Sequence, residues 1–343
     1  VVPTLMARAF KRQYELLIYK PIGQIVEENK QTFRIERYLF TSPNNIDDLI
    51  NRSQVIESAS DFPDYVTANV ENQITIKDLQ LKAKLGSSKS ASSSSENSIT
   101  IVNPSVKTQN FIQPKYHVVL RAGYESQEVL PILFSGQIDT ATVEKVGVNT
   151  ELKLIVSEAG NAKNDVHISK SWGRDTSYRT IFNDYLTQYK SYGVPTGRVV
   201  DSTILDAVTP GFSSEGKLQD EFDKACDSIG YWNYMILGSI YVEPKQINSP
   251  EVISDVRGNS VTISEDQVKG GIRLSSQGKK DKSNPESGIE INTFLNSPLA
   301  LASFVKVPYG RFEGLYKVLS IGHQLDFRGS FWDTKFTCQK VDI

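Results

Sequence analysis

Three histidines, two cysteines and 40 acidic side chains are the groups from which this 343-residue chain would have to build a reaction. His117, His167 and His323 lie in separate segments, none with a second ligand at the short spacing a zinc site needs, and each reads as a strand residue. Cys226 and Cys338 are too few and too far apart for a disulfide framework or a cysteine metal cluster; they read as small buried hydrophobes. "GFSSEG" (Gly211 to Gly216) lacks the Gly-x-Ser-x-Gly spacing of a nucleophile elbow and reads as the cap leading into a helix. The phosphate-loop pattern Gly-x4-Gly-Lys-Ser/Thr is absent, and "GSSKSASSSS" is low-complexity sequence. Between Asp281 and Glu290 the oxygen ligands fall at irregular intervals unlike an EF-hand, which favours a solvated loop. The cluster Tyr231, Trp232 and Tyr234 reads as core or interface packing, not a platform for stacking bases. Two carboxylates for sugar hydrolysis can meet from any two positions, and no pair stands out. No catalytic, cofactor-binding or metal-binding residue is assigned, and no cofactor is expected.

The elements that would position any site are mostly strands. A composition of 39% hydrophobic and 23% charged residues suits a globular chain of two or three domains, and a formal charge of −2 leaves no excess with which to grip a polyanion over the whole surface. No apolar run approaches the roughly 20 residues that cross a bilayer, and the first ten residues lack a secretory pattern; a soluble protein made in the cytoplasm is expected.

From Tyr14 to Phe40 two strands are expected, the second carrying Phe33, Ile35 and Leu39 on one side and Arg34 and Glu36 on the other. An Asn- and Asp-rich insertion, Ser42 to Asn72, follows, with a short helix near Ile46 to Ile50 as one reading. "ITIKDLQLKAKLG" and "NSITIVNPS" alternate and form a hairpin whose tip is the Ser-rich loop Ser87 to Asn97. "KYHVVLRAGY", "VLPILFSGQIDTATVEKVG" and "TELKLIVSEAG" complete a series of short strands with polar turns, the mark of an antiparallel sandwich or small barrel. In "DTSYRTIFNDYLTQYKSYGVP", Tyr178, Ile181, Phe182, Tyr185, Leu186 and Tyr189 repeat at the helical period, with Asp175 or Thr176 as the cap and Gly193 and Pro195 as the stop. A second helix from Lys217 carries Leu218, Phe222, Cys226 and Ile229 on one face and closes at Gly230; "YWNYMILGSIYVEP" is a hairpin turning at Leu237 to Ser239. β character returns after Ile247, with a polar segment at Gln277 to Gly288, and the chain ends on strands around Tyr316 to Ser320 and Trp332 to Val341 joined at Arg328-Gly329. The expected fold is mainly β: a first antiparallel barrel or sandwich domain over 1–158 with insertions at 42–72 and 87–97, a helical α/β module over 159–247, and a second β domain over 248–343.

Four motifs in order, "ITIVNPS", "VVLRAGY", "LFSGQI" and the closing "GLYKVLSIGHQLDFRGSFWDTKFTC", together with the helical stretches between them, resemble the baseplate hub proteins of bacteriophage tails, a likeness covering nearly the whole chain. The insertion at 42–72 and the loop at 87–97 exceed the family's minimal pattern. The resemblance implies a structural part and not an enzyme: two tube-like domains per chain, and a homotrimer whose six similar domains adapt a six-fold tail tube to a three-fold spike. It implies as partners the tail tube protein, the central spike protein and other baseplate subunits. DNA would pass through a channel without being read, and the protein would sit in the virion tail after assembly in the host cytoplasm. Gly123, Tyr124, Phe134, Gly136, Ile138, Tyr316, His323 and Trp332 are the wall and interface candidates. The alternative is a tail-associated peptidoglycan or polysaccharide hydrolase.

Overall fold

The structure is a computed structural model that describes residues 11–20, 24–27, 30–33, 73–88, 97–125, 127, 129–158, 160, 166–192, 194–247, 260–275, 288–296 and 299–341. The insertion at 42–72, the tip of the Ser-rich loop, most of the polar segment at 277–288 and residues 34–40 of the second expected strand lie outside the described residues.

Ten elements precede the helical module: β1 (Arg12–Tyr19), β2 (Gln24–Glu27), β3 (Lys30–Phe33), β4 (Gln73–Ile76), β5 (Gln80–Ser88), β6 (Asn97–Val102), α1 (Val106–Phe111), β7 (His117–Tyr124), β8 (Ile132–Val146) and β9 (Asn149–Ser157). The module holds β10 (His167–Trp172), α2 (Tyr178–Ser191), β11 (Thr196–Val199), β12 (Phe212–Lys217), α3 (Leu218–Ser228), β13 (Tyr231–Ile236) and β14 (Ser239–Pro244). After it come β15 (Ser260–Thr262), β16 (Val268–Ser275), β17 (Gly288–Phe294), β18 (Phe304–Val307), β19 (Gly314–Asp326) and β20 (Trp332–Val341). The chain is mainly β with a small helical insert.

Apart from β2 and β3, which pair only with each other, the strands before and after the module share one 13-stranded sheet, in the order β16-β17-β20-β19-β5-β6-β9-β8-β7-β1-β4, with β18 also on β19 and β15 on β18. The joint is the antiparallel pair β5–β19, in register from Ser88 opposite Ser320 to Lys82 opposite Asp326. In β5 the alternation buries Leu81, Ala83 and Leu85 and leaves Lys82 and Lys84 exposed, the pattern of a strand with one face on a core. The core beneath the joint is common to both parts: Leu16, Ile99, Leu120, Phe134 and Leu154 pack with Leu325 and Trp332.

β7 departs from the half-buried alternation of its sequence. His117, Val118, Val119 and Leu120 are all buried, so both faces of the strand are covered, and β1 and β8 pair along its two edges.

The module has a core of its own, drawn from residues between Val166 and Val242. α2 buries Ile181, Phe182, Tyr185, Leu186 and Tyr189, and α3 buries Leu218, Phe222, Ala225 and Cys226, as their periodicity requires. The cap of α2 is Ser177, whose hydroxyl accepts from the Thr180 amide; Asp175 and Thr176 belong to the preceding turn, where Asp175 has φ 64°. Phe212–Lys217 is a strand paired with β10, not a loop capping α3. Its alternation turns Ser214 inward to bond the Tyr185 hydroxyl, so those polar residues serve pairing, and α3 starts at Leu218, with Lys217 before it giving no side-chain cap. The β13–β14 turn takes Leu237 (φ 49°) and Gly238 (φ 81°) into the left-handed region, the two-residue connection that suits antiparallel strands.

Candidate functional site

The expected wall residues lie inside the chain. Phe134, Ile138 and Trp332 are buried in the shared core and Tyr124 is packed against it. Gly136 is required by a close approach: a Cβ there would stand 2.2 Å from the Ser157 carbonyl oxygen and 2.9 Å from the Phe134 ring. Gly123 lies on β7 opposite Gln13; a Cβ would fall 1.9 Å from Gln127 Oε1, which accepts the Tyr124 amide at 2.9 Å. Burial pushes the Tyr124 phenol up to about 12.

Trp332 carries the Arg12 guanidinium 5.5 Å from its ring centroid, and Arg12 Nη1 donates to the carbonyls of Asp326 (2.9 Å) and Gly329 (2.6 Å). One cation thereby ties β1 to the β19–β20 turn. On β19, Tyr316 is buried in a separate C-terminal core and donates to the Phe312 carbonyl at 2.9 Å. His323 bonds Thr334 across the strand pair at 3.0 Å, and burial lowers its pKa to about 4. These eight positions do not converge on a cleft; they hold the sheet from within.

What the sheet presents to solvent is a second, polar face, built by none of the eight expected wall residues. Across β8, β9, β6, β5 and β19 the register aligns Thr142, Lys153, Thr100, Lys82 and Asp326, and the next row contains Ser98, Lys84 and Gln324. A third row places Gly86, Gly322, Lys335 and Asn292 side by side. Lys82 pairs with Glu151 and Lys335 with Glu290, each at 3.0 Å. A shallow cleft of about 340 Å³ on this face runs over the seam from Gly86 and Ser87 past Ser320 and Gly322 to Lys335 and Thr337. The signal was the alternation in "LQLKAKLG", which marks these lysines as outward; the pairing of β5 with β19 carries no local mark.

The β8–β9 hairpin runs past the core as an arm. Val143 and Val146 are about half exposed and Val148, beside the turn at Gly147, is fully exposed, with Val106 of α1 also open to solvent. Asn103 braces the arm: its side chain bonds Asn149 at 2.8 Å and accepts the Thr150 amide at 2.9 Å.

Among the described residues no group of three or more His, Cys, Asp or Glu side chains is arranged to hold a metal ion. No described helix is long and apolar enough to cross a membrane.

This fold, a continuous sheet with a helical module between its two β parts, is similar to that of phage tail proteins of known structure. Among solved structures, the 43 kDa tail protein of prophage MuSo2 from Shewanella oneidensis superposes with a TM-score of 0.52 at 10% identity, over 78% of this chain and 96% of that one. A tail protein from Neisseria meningitidis MC58 gives 0.53 at 9% identity, over 78% and 93%. The E. coli c3393 protein, a type VI secretion component described as similar to the T4 tail proteins gp27 and gp5, gives 0.51 at 10% identity, over 77% and 73%. The likeness is one of fold: no protein-family model and no curated protein matches the sequence.

Proposed function

We propose that the chain is the hub of a phage tail baseplate: three copies form a ring that joins the six-fold tail tube to a three-fold spike, without a reaction of its own. The observation that carries this reading is the single sheet that runs unbroken from the first β part to the second through β5 and β19, on a fold shared with nearly the full length of a phage tail protein. Each chain contributes two β units and the helical module, so three chains place six β units around one axis. The polar face, with its hydroxyls and the ion pairs Lys82–Glu151 and Lys335–Glu290, faces a channel through which DNA slides unread, since these lysines are already paired with carboxylates and no recognition of base edges is built into the face. The apolar arm tips meet neighbouring subunits, and the rims of the ring receive the tube, the spike and the other baseplate subunits. The protein would accordingly reside in the virion tail. The likeness to a type VI secretion component supports the same part in a related injection device, with a secreted spike in place of the phage one.

Light scattering of the purified protein, alone and with its spike partner, tests the proposal. A mass of three 38.3 kDa chains is expected in at least one of the two conditions, and a monomer in both overturns it.

A further inference from the structure

The helical module meets the β wall across an apolar seam that encloses a buried ion pair. Lys317 of β19 and Glu243 of β14 pair at 2.8 Å, with side chains only 3% and 6% exposed. The ammonium sits 5.1 Å from the Phe304 ring centroid. The stacked rings of Tyr234 and Tyr241, 5.8 Å apart, belong to the module yet pack in the C-terminal core, and the Tyr234 hydroxyl bonds Glu243. Arg198 of β11, exposed at the rim, is the other charge felt by Lys317. The same hairpin is held at its turn by Glu158: Oε1 accepts the Leu237 amide at 3.0 Å and Oε2 the Ser87 hydroxyl at 3.3 Å.

An apolar pair of similar volume would often hold such a seam as firmly, because each buried ion gives up its hydration. What an ion pair adds is direction: it is satisfied in one seat, and a slipped seat strands two charges. The core under α2 and α3 is drawn entirely from the module's own residues and persists without the wall, whereas Tyr234 and Tyr241 on the other side of the module are buried only in the seat. We infer that Lys317 and Glu243 form a latch that fixes one seat for the helical module on the wall, and that the module leaves this seat as a folded body when either charge is lost.

Spin labels at Lys107→Cys on α1 and Lys190→Cys on α2 report the wall-to-module distance in the full chain, diluted with unlabelled protein; Cys226 and Cys338 are buried and stay unlabelled. One narrow distance distribution is expected for the parent, and a broad or longer one for Glu243→Gln and for Lys317→Met, with helical circular dichroism unchanged. Distributions that stay narrow in both single variants, or that broaden only as helical signal is lost, overturn the latch. Should a single variant fail to fold, the parent carries the test. Burial already draws Lys317 towards its neutral form, so raising the pH should broaden the parent's distribution and leave that of the double variant Lys317→Met/Glu243→Leu narrow. Equal behaviour of the two at alkaline pH also overturns it.

Discussion

Acid should weaken this fold through two buried imidazoles. His323 bonds Thr334 inside the sheet and His117 stacks on Tyr19 at 5.1 Å; burial lowers each pKa from 6.5 to about 4. The unfolded chain therefore binds more protons than the folded one between those values, so stability is intact above pH 6.5 and falls as the pH drops towards 4. At 1.36 kcal/mol per unit, each histidine removes about 3 kcal/mol by pH 4. The assay is urea denaturation of the parent and of His323→Gln at pH 7 and pH 4. Glutamine keeps a polar group beside Thr334 and cannot take up the proton, so the variant should lose about 3 kcal/mol less than the parent on acidification. Equal acid losses in the two proteins, or an imidazole resonance of His323 titrating near 6.5, would refute the argument from burial.

Gly136→Ala should lower stability by about 3 kcal/mol, since the new methyl meets the fixed Ser157 carbonyl and the backbone has to move; a thermal melt within a degree of the parent would show that the strands separate easily. Val146→Asp with Val148→Asp should leave the melt unchanged and reduce the light-scattering mass, because the arm lies beyond the core; an unchanged mass would remove the arm from the interface. Replacing Lys89–Glu96 by Asn-Gly should shift the melt by no more than a few degrees, as a polar loop adds little to stability; a larger fall would mean that it packs on the body. Pure protein incubated with peptidoglycan should release no soluble fragments, and release abolished by changing one Asp or Glu to its amide would restore the hydrolase reading.

Much of the fold is legible in the sequence because strand alternation and helical period are local. β5 reads directly from "LQLKAKLG", and α2 from its aromatic stripe. Capping was misplaced by one or two residues, since Asp175, Thr176 and Ser177 all have capping chemistry and tertiary pairing at Thr176 and Thr209 decides among them. "GFSSEG" looked like a loop because its strand character comes from pairing with β10. The features that matter most for the site were out of reach for a related reason: the β5–β19 joint and the Lys317–Glu243 pair link residues far apart in the chain, and no short window records them. The eight expected wall residues were legible as β-forming, but their apolar and glycine character is that of a wall's interior, and the exposed face is built by the plain polar residues alternating with them.

Electron-microscope projections of the purified protein, alone or bound to its spike, test the central claim most directly. Rings seen down their axis should show six lobes repeating as three pairs around an open channel. Single or paired particles without a channel under both conditions would contradict the hub.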